Sequence, residues 1–259
     1  MKAGTIYFSF ALFFLYFTVP TTTAQSTLSM GLSYARPAKD LATADYRQGF
    51  GFYMETMSRG IETRLPIDLQ FGGRFNMNIH GEERIETYLL TPFEGPGEYT
   101  LSNQSVGLSG ITRLITPAHH RFRVYLDGFV GSSVFYASES LAPTEDHPDF
   151  DSFDECNSSE VVQRSWAFHY GASAGFMVRV APTTRLDIRT TYTRGSNIGF
   201  VNLNSLQQVE QNAFNYTTSR SALDMLQFQI GVNFDIIESC GGSSSSDNWG
   251  YSGFSSCGN

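Results

Sequence analysis

Hydrophobic and polar residues alternate one by one along eight segments of the chain. The clearest segment is LQFQIGVNFDII, residues 226–237, in which Leu226, Phe228 and Ile230 alternate with Gln227 and Gln229. A period of two places the apolar side chains on one face of a β-strand and the polar side chains on the other. The remaining segments are residues 27–35, 50–57, 67–80, 105–114, 121–130, 166–180 and 185–193. The pattern therefore predicts eight amphipathic strands.

The lengths of the connections discriminate among all-β architectures. Short links follow the second, fourth and sixth segments, whereas long links follow the others, the last three exceeding twenty residues. This sorting places every short turn at one end of a closed meander, as in outer-membrane barrels with short periplasmic turns. In a secreted sandwich or a lipocalin-like barrel, no physical constraint would sort short and long connections in this way. We predict an all-β, eight-stranded antiparallel up-and-down transmembrane β-barrel, with its apolar face towards lipid and both termini in the periplasm.

The first residues have the composition of a secretory signal peptide. Lys2 precedes an apolar run over residues 6–19, and small residues surround a predicted cleavage site after Ala24. No later apolar run approaches the roughly 18 residues of a membrane helix, so membrane contact must be made by β-structure. We predict a signal peptide at 1–24, an outer-membrane barrel at 25–237 and a Gly/Ser-rich periplasmic tail at 238–259.

The polar faces of the predicted strands carry charges of both signs. An eight-stranded barrel is just wide enough for side chains to fill it, and buried charges must be paired. We therefore predict a charge network inside the barrel that acts as a structural plug, with a conducting pore or a proton path as the alternative. Its members by parity are Glu55, Asp68, Asp127, Asp187 and Asp235 with Arg74, Arg113, Arg121, Arg123, Arg179 and Arg189. The formal net charge of −8 and the lack of a basic patch exclude nucleic acid as a partner.

The chain resembles the small outer-membrane barrel superfamily of OmpA and OmpX type. Its signal peptide, eight alternating strands and sorted connections carry this resemblance. The ending SRSALDMLQFQIGVNFDI and Gln25 after the predicted cleavage site are similar to barrel proteins common in Bacteroidota. The resemblance implies a Gram-negative outer-membrane location and says little about activity, because this fold hosts many roles. Such barrels usually end on an aromatic residue, whereas this chain continues for 22 residues beyond Ile237.

An acidic segment in the third long connection is a weak candidate for a metal site. Residues 139–163 hold eight acids and no Lys or Arg. The possible ligands of Ca²⁺ or Mg²⁺ are Asp146, Asp149, Asp151, Asp154 and Glu155. Their spacing does not match an EF-hand, and the central Gly is missing. An acidic, solvated outer loop is the more common explanation, so we predict neither a metal nor another cofactor.

Catalysis requires a nucleophile or an activated water with a base within reach. His80 and His169 are predicted to face inward near the outer rim, but their strands lie nearly opposite each other. His119 and His120 fall in a periplasmic turn. No combination of serine, histidine and acid is legible, so we predict a protein that is not an enzyme.

The three cysteines are distributed between two compartments in the predicted topology. Cys156 lies in an outer loop, separated from Cys240 and Cys257 by a bilayer core about 30 Å thick. Cys240 and Cys257 bracket the tail in the oxidising periplasm, where paired thiols close. We therefore predict a Cys240–Cys257 disulfide.

These patterns favour a non-enzymatic outer-membrane protein. It would be a structural or accessory subunit, or a surface-binding module, acting through its outer loops and its tail. A narrow channel through the barrel and a rim enzyme acting on lipid or peptide are the alternatives. The expected partners are outer-membrane lipid and another outer-membrane or periplasmic protein.

Overall fold

The computed structural model describes residues 26–58, 61–62, 67–89, 95–117, 121–143, 158–210 and 213–236. One short helix, α1 (Lys39–Thr43), follows the first strand. The strands are β1 (Ser26–Pro37), β2 (Gly49–Met57), β3 (Ile61–Glu62), β4 (Asp68–Leu89), β5 (Gly95–Ile115), β6 (Phe122–Pro143), β7 (Ser158–Ala181), β8 (Thr184–Glu210) and β9 (Ala213–Ile236). Among the described residues, no helix is long and apolar enough to cross a membrane.

The eight long strands close into an antiparallel barrel. Each pairs with its neighbour in the chain, β1 pairs with β9, and β2 pairs with β4 across the two-residue β3. Ser26 lies opposite Ile236, so the first and last strands meet at the end that carries the short turns. The predicted fold class is confirmed. In the described residues of the link predicted after β2, the structure adds the short strand β3, which pairs with Asp68 and Leu69.

We call the half of the barrel next to the short turns the lower half. Its outer surface is an apolar belt. Along β9, Phe228 is 47% exposed and Ile230 is 51% exposed, whereas Gln229 between them and Asn233 further along the strand are buried. The same parity exposes Leu126 on β6 and Phe168 on β7. Such a belt around a closed barrel can only meet hydrocarbon, because monomeric soluble proteins rarely expose apolar patches of this size. The protein is an outer-membrane β-barrel.

The strands from β4 onward are much longer than the alternation predicts. A membrane span needs about 9–11 residues, whereas β5 contains 21 and β8 contains 27. Only residues 90–94 separate β4 from β5, and only residues 211–212 separate β8 from β9. The long outer loops predicted from the sequence are therefore largely strand, and about half of each strand projects outward beyond the belt.

Candidate functional site: the filled lumen and the extracellular sandwich

Three arginines and three acids fill the centre of the barrel. Glu55 on β2 accepts from all three arginines, at 2.8 Å from Arg74, 2.6 Å from Arg113 and 2.5 Å from Arg189. Asp127 on β6 lies 2.7 Å from Arg113 Nε and 3.2 Å from Arg74 Nη2. The six formal charges cancel within this central network, which consists of Glu55, Arg74, Arg113, Asp127, Asp187 and Arg189. Paired in this way, the arginines tolerate almost complete burial.

Two tyrosines hold the arginines of the central network in place. The Arg113 guanidinium lies 4.1 Å from the ring centroid of Tyr125, and that of Arg189 lies 4.5 Å from the ring of Tyr53. The Tyr125 hydroxyl donates to Asp187 at 2.5 Å. Arg189 Nη2 lies 2.9 Å from Asp187 Oδ2 but is not aligned as a hydrogen bond, so their contact is an ion pair. Arginine suits this role because its planar group both stacks on rings and pairs with carboxylates.

The other charges predicted to line the lumen lie towards the periplasmic end. Arg123 is buried and donates through Nε to the Thr116 carbonyl at 2.9 Å, and Asp235 pairs with Arg185. Asp68 and Arg179 are half-buried, and Arg121 is exposed. The structure thus brings six of the predicted residues into one network and leaves five outside it. Arg185 is also buried. It opens the predicted segment 185–193 with the same parity as Asp187, but it was not assigned to the predicted network.

A small polar chamber lies above the central network. Its volume is about 30 Å³, and Arg74, Ser109, Ser133, His169 and Thr191 are among the residues that line it. His169 contacts Ser109 at 2.9 Å and Ser133 at 3.2 Å, and it is buried. A space of this size holds one or two water molecules between polar partners. Ser105, which also lines the chamber, contacts the fully buried His80 at 2.9 Å.

An apolar plug closes the lumen above the chamber. Helix α1 and the segment after it direct Leu41 and Tyr46 inward, where both are buried. The Tyr46 ring meets the Phe200 ring edge-on at 4.8 Å. The cluster that forms the plug is Ala35, Leu41, Tyr46, Phe135, Ala167, Ile198, Phe200, Leu223 and Met225. The apolar Leu41 and Tyr46 within the polar connection KDLATADY are the only sequence signal of this plug.

The outer ends of the strands form a sandwich, which we call the extracellular sandwich. Pairing between β7 and β8 ends at His169 and Gly195, so above this point the β8–β9 hairpin separates from the sheet formed by β4 to β7. Asn103 on β5 ties the two layers together. Its side-chain amide donates a hydrogen bond to the Val201 carbonyl on β8 at 2.8 Å. In return, Asn103 Oδ1 accepts a hydrogen bond from the Val201 N–H at 3.3 Å.

The extracellular sandwich has its own hydrophobic core. Tyr99, Leu101, Ala137, Val201 and Leu203 form a buried cluster. The Tyr99 ring stacks on Phe214 with centroids 3.8 Å apart. The Tyr99 hydroxyl donates to Glu139 at 2.6 Å, and burial together with this carboxylate raises the pKa of Tyr99 above its usual value. The two layers therefore make one ordered unit rather than a set of separate loops.

Several predicted sites fall outside the described residues. These are the signal peptide, Asp146, Asp149, Asp151, Asp154, Glu155, and the cysteines 156, 240 and 257. Within the described residues, no group of three or more His, Cys, Asp or Glu side chains could hold a metal ion. The predicted disulfide between Cys240 and Cys257 stays a prediction.

Comparison with known proteins finds distant structural likeness. No family model and no curated protein matches the chain. The attachment invasion locus protein Ail of Yersinia pestis aligns with 83% of this chain and 100% of its own at 13% identity, with a TM-score of 0.39. Neisserial surface protein A covers 82% of this chain and 97% of its own at 15% identity, with a TM-score of 0.38. A major outer membrane protein of Thermus thermophilus covers 82% of this chain and 99% of its own at 12% identity, with a TM-score of 0.39. Similarities this distant carry no functional conclusion.

Proposed function

We propose that this protein is a non-enzymatic surface-binding module of the outer membrane and that its working part is the extracellular sandwich. The observation that carries this proposal is the packed core that joins strands β5, β6 and β8 above the lipid belt. A barrel that served only to span the membrane would need about half of this strand length. The additional ordered surface is best explained by recognition of a partner outside the cell.

The charge of the extracellular sandwich favours a cationic partner. Its described strands (residues 81–89, 95–104, 136–143, 158–165, 197–210 and 213–222) carry seven acids and three arginines. Residues 144–157 of the sequence, which connect β6 to β7, add six acids and no Lys or Arg. A surface of one dominant sign attracts the opposite sign and speeds encounter at low ionic strength. Binding should therefore weaken as the salt concentration rises.

The channel alternative is less well supported by the arrangement of the lumen. The central network, the small chamber and the apolar plug follow one another along the barrel axis, so an ion would have to displace all three. The tail remains a second candidate surface for a periplasmic partner. We further propose, from the sequence resemblance, that the chain belongs with the OmpA and OmpX type of barrel in Bacteroidota.

Proteoliposomes that contain the full-length protein provide the test. Their binding to immobilised cationic and anionic extracellular proteins and glycans would be measured for wild type and for a variant whose residues 199–218 are replaced by a short turn. Loss of binding to a cationic target by at least tenfold, with normal heat-modifiable migration of the barrel, is the expected result. Equal binding by both proteins, or a steady single-channel conductance in planar bilayers, would overturn the proposal.

A further inference from the structure

A groove opens on the outside of the barrel where β1 ends and β2 begins. Its volume is about 720 Å³, which is the size of a site for a small molecule or part of a larger one. Its walls come from α1 and the following segment on one side and from β2 and β4 on the other. The residues that line it are Arg36, Pro37, Ala42, Tyr46, Arg47, Gln48, Phe50, Ile79, Gly81 and Glu82.

The floor of the groove is continuous with the lipid belt. Phe50 and Ile79 lie directly opposite each other on β2 and β4, and they are 67% and 45% exposed. Below them on the same outward face follow Phe52 and Met54, which are also exposed. A hydrocarbon chain in the outer leaflet can therefore enter the groove from the belt without crossing a polar barrier.

The rim of the groove leaves one cation available. Arg47 is engaged with Glu83 at 2.7 Å and with Asn204 at 2.7 Å, and Glu82 pairs with Arg84. Arg36 is exposed, and within the described part of the chain it has no carboxylate at salt-bridge distance. The acids at the rim are thus neutralised by other arginines, and Arg36 can bind an anion.

Two more cations extend the positive rim around Arg36. Lys39, three residues further along the chain, is 3.9 Å from Asp224 through its Nζ, but its side chain is 58% exposed. Arg194 on β8 faces outward and lies opposite Asp224 on β9. Strand β9 lies between β8 and β1, so one strand separates Arg194 from Arg36. Two strand spacings are about 10 Å, so these three cations, with Asp224 between them, can face one headgroup. Together they carry an excess of positive charge next to the upper end of the apolar belt.

The close approach of Arg47 to β4 gives the groove its shape. Gly81 has a φ of 86°, in the left-handed region, and a Cβ at this position would lie 2.8 Å from Arg47 Cδ. Glycine is the residue that adopts this conformation without strain. Gly81 therefore lets Arg47 lie against β4, and the segment that follows α1 forms a fixed wall.

We propose that this groove binds one phosphorylated lipid of the outer leaflet, with an acyl chain along Phe50 and Ile79 and the phosphate against Arg36. The apolar floor selects a lipid over a soluble phosphate, and the unpaired cation selects an anionic headgroup over a zwitterionic one. A charge-assisted hydrogen bond of this kind changes affinity by roughly tenfold.

Native mass spectrometry of the full-length protein in nanodiscs tests the proposal. The nanodiscs would contain equal amounts of dioleoyl phosphatidic acid and dioleoyl phosphatidylcholine. Wild type should retain one phosphatidic acid molecule per barrel in preference to phosphatidylcholine. In Arg36→Gln this preference should fall about tenfold. The control Arg220→Gln removes an exposed charge outside the groove and should leave the preference unchanged.

Ala42→Trp tests the acyl-chain slot separately, because Ala42 is an exposed residue of α1 that lines the groove. This variant should lower retention of both lipids while heat-modifiable migration stays normal. Soluble glycerol phosphate should not compete with the bound lipid. The proposal fails if wild type retains both lipids equally, if Arg36→Gln and Arg220→Gln behave alike, or if glycerol phosphate displaces the lipid.

Discussion

The lower half of the barrel and the extracellular sandwich are built from the same strands. The apolar side chains of these strands face outward in the lower half and inward in the extracellular sandwich. On β5, Leu108 and Leu114 point outward in the lower half, whereas Tyr99 and Leu101 point inward in the upper half. The outward positions of the upper half are polar, such as Glu98 and Thr100. The apolar face changes direction because lipid surrounds the lower half and water surrounds the upper half. One strand can therefore serve both environments by switching the phase of its alternation.

The two halves also differ in what fills them. The lower half is filled by an ion-pair network of long side chains, and the upper half by stacked rings and aliphatic groups. In a closed lumen each buried charge needs a specific partner of opposite sign. Removal of one partner therefore destabilises the fold by leaving an uncompensated buried charge. Apolar packing tolerates a lost contact at a smaller cost that depends on local relaxation. Substitutions in the two halves should therefore differ in their effects.

The largest effect is expected from Glu55→Ala in the lower half. Glu55 contacts three buried arginines, and its loss should lower the free energy of unfolding by about 3–5 kcal/mol. Urea unfolding of the barrel in lipid vesicles would measure this change. Glu86→Gln, on the exposed surface of the extracellular sandwich, is the matched control and should stay within about 0.5 kcal/mol. A mild effect at Glu55 would mean that the central network contributes little to stability.

Leu101→Ala should separate the two halves. Leu101 is fully buried in the core of the extracellular sandwich, and its truncation should cost about 2–5 kcal/mol. Limited proteolysis should then cleave the upper strands while the lower barrel keeps its heat-modifiable migration. Thr100→Ala, on the neighbouring outward position, should not increase cleavage. If the lower barrel unfolds together with the upper half in Leu101→Ala, the two halves form a single cooperative unit.

An arginine on the outer face of β9 tests where lipid ends and water begins. Phe228→Arg in the belt should hinder assembly, with a cost of about 2–4 kcal/mol near the bilayer midplane. Thr218→Arg on the same strand, in the extracellular sandwich, should be nearly neutral. Folding yields into vesicles would be compared by the heat-dependent gel shift. Equal yields for the two variants would contradict the position of the belt.

Tyr99→Phe should have the smallest effect and a characteristic pH dependence. Loss of the hydrogen bond to Glu139 should cost about 1 kcal/mol at neutral pH. The pKa of Tyr99 is raised in the folded state, so its contribution is fully present below its unfolded pKa of about 10 and is lost as the pH rises above that value. Protease resistance of the upper half of wild type should decline above this pH. The decline should be weaker in Tyr99→Phe, and an identical pH profile would argue against this role for Tyr99.

The lower half was largely predictable because its alternation is long and regular. Phe228, Ile230 and Phe234 face outward as the period of two requires, and the same rule places Glu55, Arg74 and Arg113 inside. The upper half was interpreted as loops because its apolar positions are few and lie in the opposite phase, as Tyr99 and Leu101 do in EYTLSNQ. A search for strand segments that reverse phase would have found them.

The number of long strands, their order and the face of each that meets lipid can be read from the sequence, because these features follow from local alternation and the lengths of the short turns. The tertiary structure is needed to see which charges meet, since Glu55 contacts Arg189 from a distance of 134 positions along the chain. The same holds for the plugging of the lumen by α1 and for the approach of β8 to β5. Such contacts depend on the closure and stagger of the barrel, and these properties belong to the whole sheet rather than to any one segment.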